Sequence, residues 1–224
     1  MAAQLPLDIS LEPSFERDDL VEAPANQAAI AFVDAWPHWP SPIAMLIGPE
    51  GSGKSHLARV WVDRSGAKLL DTAALSPSDF AEAGHYLVED LDRAAFNETN
   101  IFHLINAVRQ SGCTLLVTSR KPANAFAIEL PDLASRLRAA SVATIQPPDD
   151  QLLESVLRKL ISDRQMAVDD ATVQYLVNRM ERSLAAAGQV VAELDHIALV
   201  EKRPITRPLA GRVLDALYSA EEGG

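Results

Sequence analysis

An eight-residue segment with the sequence GPEGSGKS, residues 48–55, has the residue types and the spacing of a phosphate-binding loop. It fits the pattern G-x-x-x-x-G-K-[ST] in full, and it lies between an apolar run of strand length and a helical pattern. Its glycines let successive backbone N–H groups surround the β-phosphate, and the start of the following helix adds partial positive charge. We expect the Lys54 ammonium group to reach the β- and γ-phosphates and the Ser55 hydroxyl to bind Mg²⁺. The pattern therefore predicts a nucleotide site formed by Gly48, Pro49, Glu50, Gly51, Ser52, Gly53, Lys54 and Ser55.

A second group of candidate ligands is the acidic pair Glu89 and Asp90, which directly follows the apolar run 86–88. A buried strand that ends in acids is the layout of a Walker B segment, where one carboxylate holds Mg²⁺ and the next positions water for hydrolysis. We therefore predict that Ser55, Glu89 and Asp90 bind the metal and that Asp90 acts in hydrolysis, although the pattern also fits a solvated strand end. Aspartate is more usual at the position of Glu89, whose extra methylene moves the carboxylate by about 1.5 Å and could weaken metal binding or slow hydrolysis.

Apolar segments of strand length alternate with helical patterns before the chain reaches a proline pair at 147–148. The segments are residues 43–47, 68–71, 86–88 and 114–118, and the clearest helical patterns are 55–64 and 100–110. Buried strands that alternate with helices indicate a parallel sheet in an α/β architecture.

The proline pair marks a change, because the periodicity beyond it is helical only. The helices predicted there are 149–161, 169–180, 184–200 and 208–218. We therefore predict three parts of the chain: a flexible tail at 1–13, a nucleotide-binding α/β domain at 14–147 and a small all-helical domain at 148–224.

The charge and composition of the chain exclude several functional classes. It has 224 residues, 31 acidic against 20 basic side chains and a formal net charge of −11, so long-range repulsion disfavours non-specific DNA binding. No apolar run approaches the roughly 18 residues that span a membrane, and we find no signal peptide. The single cysteine, Cys113, suits a reducing compartment. We therefore expect a cytoplasmic protein without membrane contact.

Several motifs in combination resemble the AAA+ domain of the DnaA/Hda group of replication proteins. They are the phosphate loop with His56 after its serine, the acids at 89–90, the sequence TSR at 118–120, the sequence LPDLASRL at 130–137 and the helical segment beyond. The resemblance spans about residues 14–218. It implies a three-layer AAA+ P-loop sandwich with a parallel sheet and a small C-terminal all-α lid. It also implies ADP or ATP with Mg²⁺ as the ligand, and His56 as a further residue of the nucleotide site.

The resemblance further implies roles for residues outside the loop. Ser119 falls at or next to sensor 1, the polar residue near the γ-phosphate, although serine at a strand end is more often a turn former. Arg136 matches the arginine finger, which enters a neighbouring molecule's nucleotide site and stabilises charge on the transferring phosphoryl group. Arg138 is a nearby alternative for this role, and a surface salt bridge is the plainer explanation of a single arginine.

One position departs from the pattern of the family. The alignment of residues 178–182 with the family lid puts Ala185 where the sensor 2 arginine usually lies. Arg182 lies about one helical turn earlier and is a weak substitute. The missing contact puts γ-phosphate sensing and independent ATP hydrolysis in doubt, so whether the protein is itself an enzyme stays open.

The predicted N-terminal tail contains Gln4, Leu5 and Leu7, with Pro6 among them. This sequence resembles the short motif by which proteins dock on the bacterial DNA sliding clamp. The glutamine would anchor in a polar subsite, the leucines would fill an apolar cleft, and the proline would lower the entropy lost on ordering. An apolar tail that packs on its own domain is the alternative.

The resemblance as a whole implies a negative regulator of DNA replication initiation. Such a protein would dock on the sliding clamp, the β subunit of DNA polymerase III, and stimulate ATP hydrolysis by DnaA through Arg136 supplied in trans. We expect no direct DNA binding, because the chain ends near the last lid helix, where DnaA continues into a helix-turn-helix domain. The alternatives are a helicase loader or other initiation-factor AAA+ ATPase, and a P-loop nucleotide kinase. Homodimerisation stays open.

Overall fold

The computed structural model of the protein describes residues 17–80, 82–93, 96–201 and 203–219. The chain divides into two compact units, and the break falls between Pro147 and Pro148. The first unit contains all the strands that the structure describes, and the second unit contains only helices and their connections. Within the described ranges, no helix is both long enough and apolar enough to cross a membrane.

A parallel sheet forms the centre of the α/β unit, with five strands in the described part of the chain. The strands are β1 (Ile43–Ile47), β2 (Lys68–Leu69), β3 (Tyr86–Val88), β4 (Leu115–Ser119) and β5 (Ser141–Thr144). Their spatial order is β2-β3-β4-β1-β5, and every pairing is parallel. The carboxyl ends of parallel strands meet at one edge of a sheet. The residues that follow β1, β3 and β4 are therefore brought to the same edge.

Helices cover both faces of this sheet. They are α1 (Gln27–Asp34), α2 (Lys54–Ser65), α3 (Glu98–Ser111) and α4 (Pro131–Arg138). Successive residues of a strand point to opposite faces, and β1 follows this rule. Met45 packs in one buried cluster with residues of α3 and α4, whereas Leu46 packs in another with residues of α1 and α2. The three-layer α/β sandwich predicted from the sequence is confirmed.

The sequence patterns did not predict two of these elements. Strand β5 is an edge strand in which only Ala143 is fully buried, so it lacks the continuous apolar run that indicates a central strand. Helix α4 has only eight residues, with Pro131 in its first turn. Two leucines spaced four apart, Leu133 and Leu137, hold it in the core, and both are fully buried.

The second unit consists of helices α5 (Asp150–Asp163), α6 (Asp170–Arg179), α7 (Leu184–Glu201) and α8 (Arg207–Ser219). Asp149 and Asp169 cap the first two of them, each accepting a backbone N–H bond three residues along, at 2.8 and 2.7 Å. Hydrogen bonding to Thr172 keeps the pKa of Asp169 below its ordinary value. The helices enclose their own apolar core, which includes Leu157, Leu176 and Val190. The small C-terminal helical domain predicted from the sequence is thus confirmed.

Candidate functional site

The phosphate loop follows β1 directly and leads into α2. Gly51 and Gly53 have φ angles of 68° and 94°, in the left-handed region that favours glycine. Gly48 is required for a different reason: a Cβ atom there would lie 2.8 Å from the Ile145 carbonyl oxygen and 2.8 Å from the Ser52 hydroxyl. Two of the loop glycines are therefore required by backbone conformation and one by close packing.

The Lys54 side chain lies against the inside of this loop. Lys54 is only 6% exposed, and its ammonium group donates hydrogen bonds to the carbonyl oxygens of Gly48 and Pro49, at 2.9 and 2.8 Å. Burial lowers the pKa of Lys54, and the negative charges of Asp90 and Asp92 oppose this effect. The ammonium group is thus held at the loop, with those carboxylates as the main opposite charges that act on it.

The hydroxyl of Ser52 supports the fit of this loop to a phosphate group. Its oxygen is buried and has no hydrogen-bond partner in the described part of the chain. Buried polar groups are normally paired, and leaving one unpaired costs about 1–3 kcal/mol. An unpaired hydroxyl in a loop that also carries Lys54 and a helix N-terminus fits the oxygens of a nucleotide phosphate.

The two acids after β3 have different surroundings. Asp90 has a φ angle of 47°, and its backbone N–H donates to the Thr118 hydroxyl at 2.9 Å, which fixes the turn after the strand. One carboxylate oxygen of Glu89 is buried without a described partner, and this residue lines a cavity of about 380 Å³ with Leu69, Leu70, Asp71 and Thr72. Glu89 therefore borders the end of β2, whereas the charge of Asp90 acts on Lys54.

No group of three or more His, Cys, Asp or Glu side chains that could hold a metal occurs in the ranges the structure describes. Mg²⁺ usually takes one or two carboxylates and completes its six ligands with phosphate oxygens and water. The predicted ligands Ser55, Glu89 and Asp90 would therefore supply only some of the six ligands of a Mg²⁺ ion, and phosphate oxygens and water would supply the others. Their role in metal binding stays a prediction.

Ser119, the predicted sensor 1, is the last residue of β4 and is fully buried. Its hydroxyl donates to the Lys121 carbonyl oxygen at 2.7 Å and accepts the Lys121 N–H at 3.0 Å. In addition, the Gly48 N–H donates to the Ser119 carbonyl oxygen at 3.1 Å, which ties this strand end to the phosphate loop. The hydroxyl therefore closes a local turn, and its sensor role stays a prediction.

A chain of ion pairs beside the loop was missed by the sequence reasoning. Arg120 contacts Asp92 at 3.2 Å and Glu50 at 3.3 Å, and Arg93 contacts the same glutamate at 3.2 Å. Burial favours a raised pKa for Asp92, but hydrogen bonds from Arg120 and Ser119 hold it below its ordinary value. The arginine of the TSR motif thus joins the β3 and β4 ends to the phosphate loop. The only signal in the sequence was the acid at position 92, two residues after the Walker B pair.

Arg136, the predicted finger, lies near the end of α4 and is partly exposed. Its guanidinium carbon is 4.9 Å from the centre of the Phe102 ring on α3, a cation–π arrangement. The Glu98 carboxylate, in the first turn of α3, accepts the backbone N–H groups of Glu129 and Leu130 at 2.9 and 2.7 Å. Helix α4 is thereby fixed to α3 just before its first residue.

The other arginine of α4, Arg138, is exposed. Neither Arg136 nor Arg138 has a carboxylate partner within 4 Å among the described residues, so the plain salt-bridge explanation receives no support from this part of the chain.

In the helical unit, Ala185 lies in the first turn of α7 and is exposed. Arg182, the weak substitute for a sensor, forms an ion pair with Asp150 at 2.8 Å, and both side chains are well exposed. The Ser183 hydroxyl accepts the Ala186 N–H at 3.3 Å and begins the helix. The predicted clamp-binding residues Gln4, Leu5 and Leu7 lie outside the described residues.

Residues 149–214 match the model of the Hda lid domain family. An uncharacterized protein of Haemophilus influenzae is 28% identical over 191 residues, which cover 78% of this chain and 82% of that protein. Domain III of the replication initiation protein DnaA from Thermotoga maritima superposes with a TM-score of 0.79 at 17% identity, covering 92% of this chain and 97% of that one. AMPPCP-bound DnaA from Aquifex aeolicus gives a TM-score of 0.67 at 14% identity, covering 85% and 68%.

The parallel sheet with its phosphate loop and the separate helical unit have the fold of AAA+ P-loop proteins such as DnaA domain III. The helical unit narrows this class, because it matches the Hda lid domain. The chain is thus consistent with an Hda-type, DnaA-related AAA+ protein, as its motifs implied. Two DnaA structures that share this fold contain AMPPCP.

Proposed function

We propose that this protein is a cytoplasmic negative regulator of DNA replication initiation. It docks on the sliding clamp through Gln4, Leu5 and Leu7, and it supplies Arg136 to the ATP site of DnaA, where the arginine accelerates hydrolysis. Its own phosphate loop holds ADP or ATP with Mg²⁺, which serves mainly to fix its conformation.

The observation that carries this proposal is the state of the Arg136 side chain. Its guanidinium lies over the Phe102 ring, and no described carboxylate neutralises it. An aromatic ring below an arginine restricts its motion without using its five N–H donors, so those donors remain able to bind phosphoryl oxygens. An arginine finger needs this combination of fixed position and unused donors.

A weak intrinsic ATPase agrees with two features of the chain. An alanine occupies the expected sensor 2 position at 185, and Glu89, one of whose carboxylate oxygens is buried, lines a cavity beside β2. Catalytic groups must be placed within a fraction of an ångström of the productive geometry. We therefore expect slow turnover of the protein's own nucleotide, with binding by Lys54 and the loop retained.

The decisive experiment mixes ATP-bound DnaA with DNA-loaded clamp and the parent protein, and measures ATP hydrolysis by DnaA. The parent should accelerate hydrolysis only when the clamp is present. Because removing a finger from such a site costs up to roughly 10³–10⁵ in rate, the Arg136→Ala variant should lose at least about tenfold of the stimulation. Arg138→Ala removes the same charge from the same helix and tests the alternative finger, and it should keep the stimulation of the parent. Equal stimulation by the parent and Arg136→Ala would contradict the finger assignment.

Clamp docking is tested separately by gel filtration with the clamp. The full chain should co-elute with it, and a chain without residues 1–10 should not. A complex that forms equally well without these residues would contradict the docking proposal, whatever the outcome of the hydrolysis assay.

A further inference from the structure

The helical unit carries a groove that the proposed function does not use. It lies between α6 and α8 and has a volume of about 470 Å³. Its walls combine three arginines with small, aromatic and apolar residues and a single carboxylate. The lining residues are Tyr175, Arg179, Arg207, Pro208, Gly211, Arg212 and Asp215.

Tyr175 lines the groove, and two of the arginines lie over its ring. The guanidinium carbons of Arg207 and Arg179 lie 4.7 and 5.4 Å from the centre of the tyrosine ring. Gly211 makes room for the ring, because a Cβ atom at this position would lie 2.9 Å from the tyrosine hydroxyl oxygen. Glycine within a helix costs about 0.5–1 kcal/mol relative to alanine. The unfavourable glycine thus occurs in α8 at the position where the absence of a side chain lets the Tyr175 hydroxyl approach the helix.

The charges in the groove are unbalanced although the chain is acidic. Two other arginines of this unit are paired with acids: Arg158 contacts Glu154 and Asp170, and Arg182 contacts Asp150. By contrast, Arg179 and Arg207 have no carboxylate within 4 Å in the described part of the chain. Arg164 lies outside the groove and, among the described residues, bonds only the Leu160 carbonyl oxygen.

The third arginine of the groove, Arg212, contacts Glu201 at 3.4 Å. The groove thus presents two guanidinium groups without a described carboxylate partner, those of Arg179 and Arg207, and Asp215 is the one carboxylate among its described lining residues, in a protein with 31 acidic and 20 basic side chains. Two arginines left unpaired amid so many available acids indicate a site for an anionic group from outside.

The surroundings favour carboxylates of a peptide over phosphates of a nucleic acid. A base would need an open face of the Tyr175 ring on which to stack, whereas the guanidinium groups of Arg179 and Arg207 already lie over this ring. Asp215 can accept the backbone N–H group of a peptide, a donor that a phosphate backbone lacks, and Pro208 offers apolar surface to a side chain.

We propose that this groove on the helical unit binds an acidic peptide segment of a protein partner. The Arg179 and Arg207 guanidinium groups form charge-assisted hydrogen bonds with carboxylates of the segment, and Asp215 accepts one of its backbone N–H groups. A volume of about 470 Å³ accommodates a few residues, so the segment is short. The site is independent of the clamp motif and of Arg136.

The test uses the full chain and a fluorescently labelled hexaglutamate peptide, with a single-stranded oligo-dT of equal charge as the second probe. Fluorescence anisotropy should show binding of the peptide, and the double variant Arg179→Gln, Arg207→Gln should weaken it at least tenfold. The matched control is Arg158→Gln, Arg182→Gln, which removes the same charge from the same unit outside the groove and should change the affinity by less than twofold. Circular dichroism verifies that both variants are folded.

A second variant, Arg179→Lys with Arg207→Lys, keeps the charge but removes the paired donors of each guanidinium, so its affinity should fall between those of the parent and the glutamine variant. Absence of peptide binding, or equal weakening by the groove and control variants, would overturn the proposal. Groove-dependent binding of oligo-dT without peptide binding would also overturn it and assign the groove to nucleic acid.

Discussion

Replacing Gly48 by alanine adds one methyl group at the most tightly packed point of the phosphate loop. The new Cβ would lie 2.8 Å from the Ile145 carbonyl oxygen and 3.2 Å from the Ile145 Cβ. That oxygen belongs to the backbone just after β5, where the Ile145 N–H donates to the Ile47 carbonyl oxygen at 2.7 Å. The contact cannot be relieved by rotating a side chain, so either the loop or the strand end must move.

Overpacking of this kind costs about 1–3 kcal/mol of the free energy of unfolding. The loop is the less constrained side, because β1 and β5 hold each other through a parallel ladder. If the loop shifts by a few tenths of an ångström, its backbone N–H groups move together with the Gly48 carbonyl oxygen to which the Lys54 ammonium group donates. We therefore expect nucleotide affinity to fall at least about tenfold, equivalent to roughly 1.4 kcal/mol.

Urea unfolding followed by tryptophan fluorescence reports on the α/β unit alone, because all three tryptophans lie before residue 62. A titration with a fluorescent ADP analogue measures nucleotide affinity. The matched control is Gly66→Ala, since Gly66 ends α2 with a φ angle of 67° but has open space around it. A left-handed alanine should cost about 1–2 kcal/mol, leaving nucleotide affinity unchanged. The reasoning is refuted if Gly48→Ala binds nucleotide as the parent does, or if both variants lose affinity equally.

Three further changes test other parts of the site. Ser52→Ala removes a buried unpaired hydroxyl, so urea unfolding should show about 1 kcal/mol of added stability, with weaker nucleotide binding in the same titration. Asp92→Asn removes a carboxylate whose pKa burial alone would raise, but which hydrogen bonds from Arg120 hold below its ordinary value. In the parent, the stabilisation by this carboxylate is complete above its pKa of about 4 in the unfolded chain, and it is lost as the pH falls through the lower pKa of the folded state. The variant should be about 1–2 kcal/mol less stable than the parent at pH 7, and its stability should fall less below pH 4. Phe102→Leu removes the ring below Arg136 and should reduce DnaA stimulation about two- to fivefold without changing nucleotide affinity; unchanged stimulation would contradict the positioning argument.

The sequence predicted those parts of the molecule whose physical causes are local. Strand β1 was predicted at its observed bounds, because five apolar residues before a glycine-rich loop leave few alternatives. Most helix ends differ from the prediction by one or two residues: α3 begins at Glu98 rather than at residue 100, because the Asn97 side chain accepts the Asn100 N–H and caps the helix.

Features that depend on long-range contacts were not predictable from one sequence. Strand β5 pairs with β1 across about a hundred residues of chain, and its alternating burial resembles that of a polar loop. The contact between Asp92 and Arg120 joins two strand ends 28 positions apart. The different surroundings of Glu89 and Asp90 follow from the sharp turn after β3, whereas the sequence treats them as one acidic pair.

The two hydrogen bonds that Glu98 accepts have a consequence for how this fold can vary. They fix the start of α4 from α3, and the buried leucines fix the rest of it. Helix α4 therefore has anchors that do not belong to the connection from β4. Substitutions at the exposed positions 122, 124, 125 and 127 of that connection should accumulate among relatives, while the residue at position 98 keeps a carboxylate. The exposed surface of the connection can then diverge between organisms without disturbing Arg136.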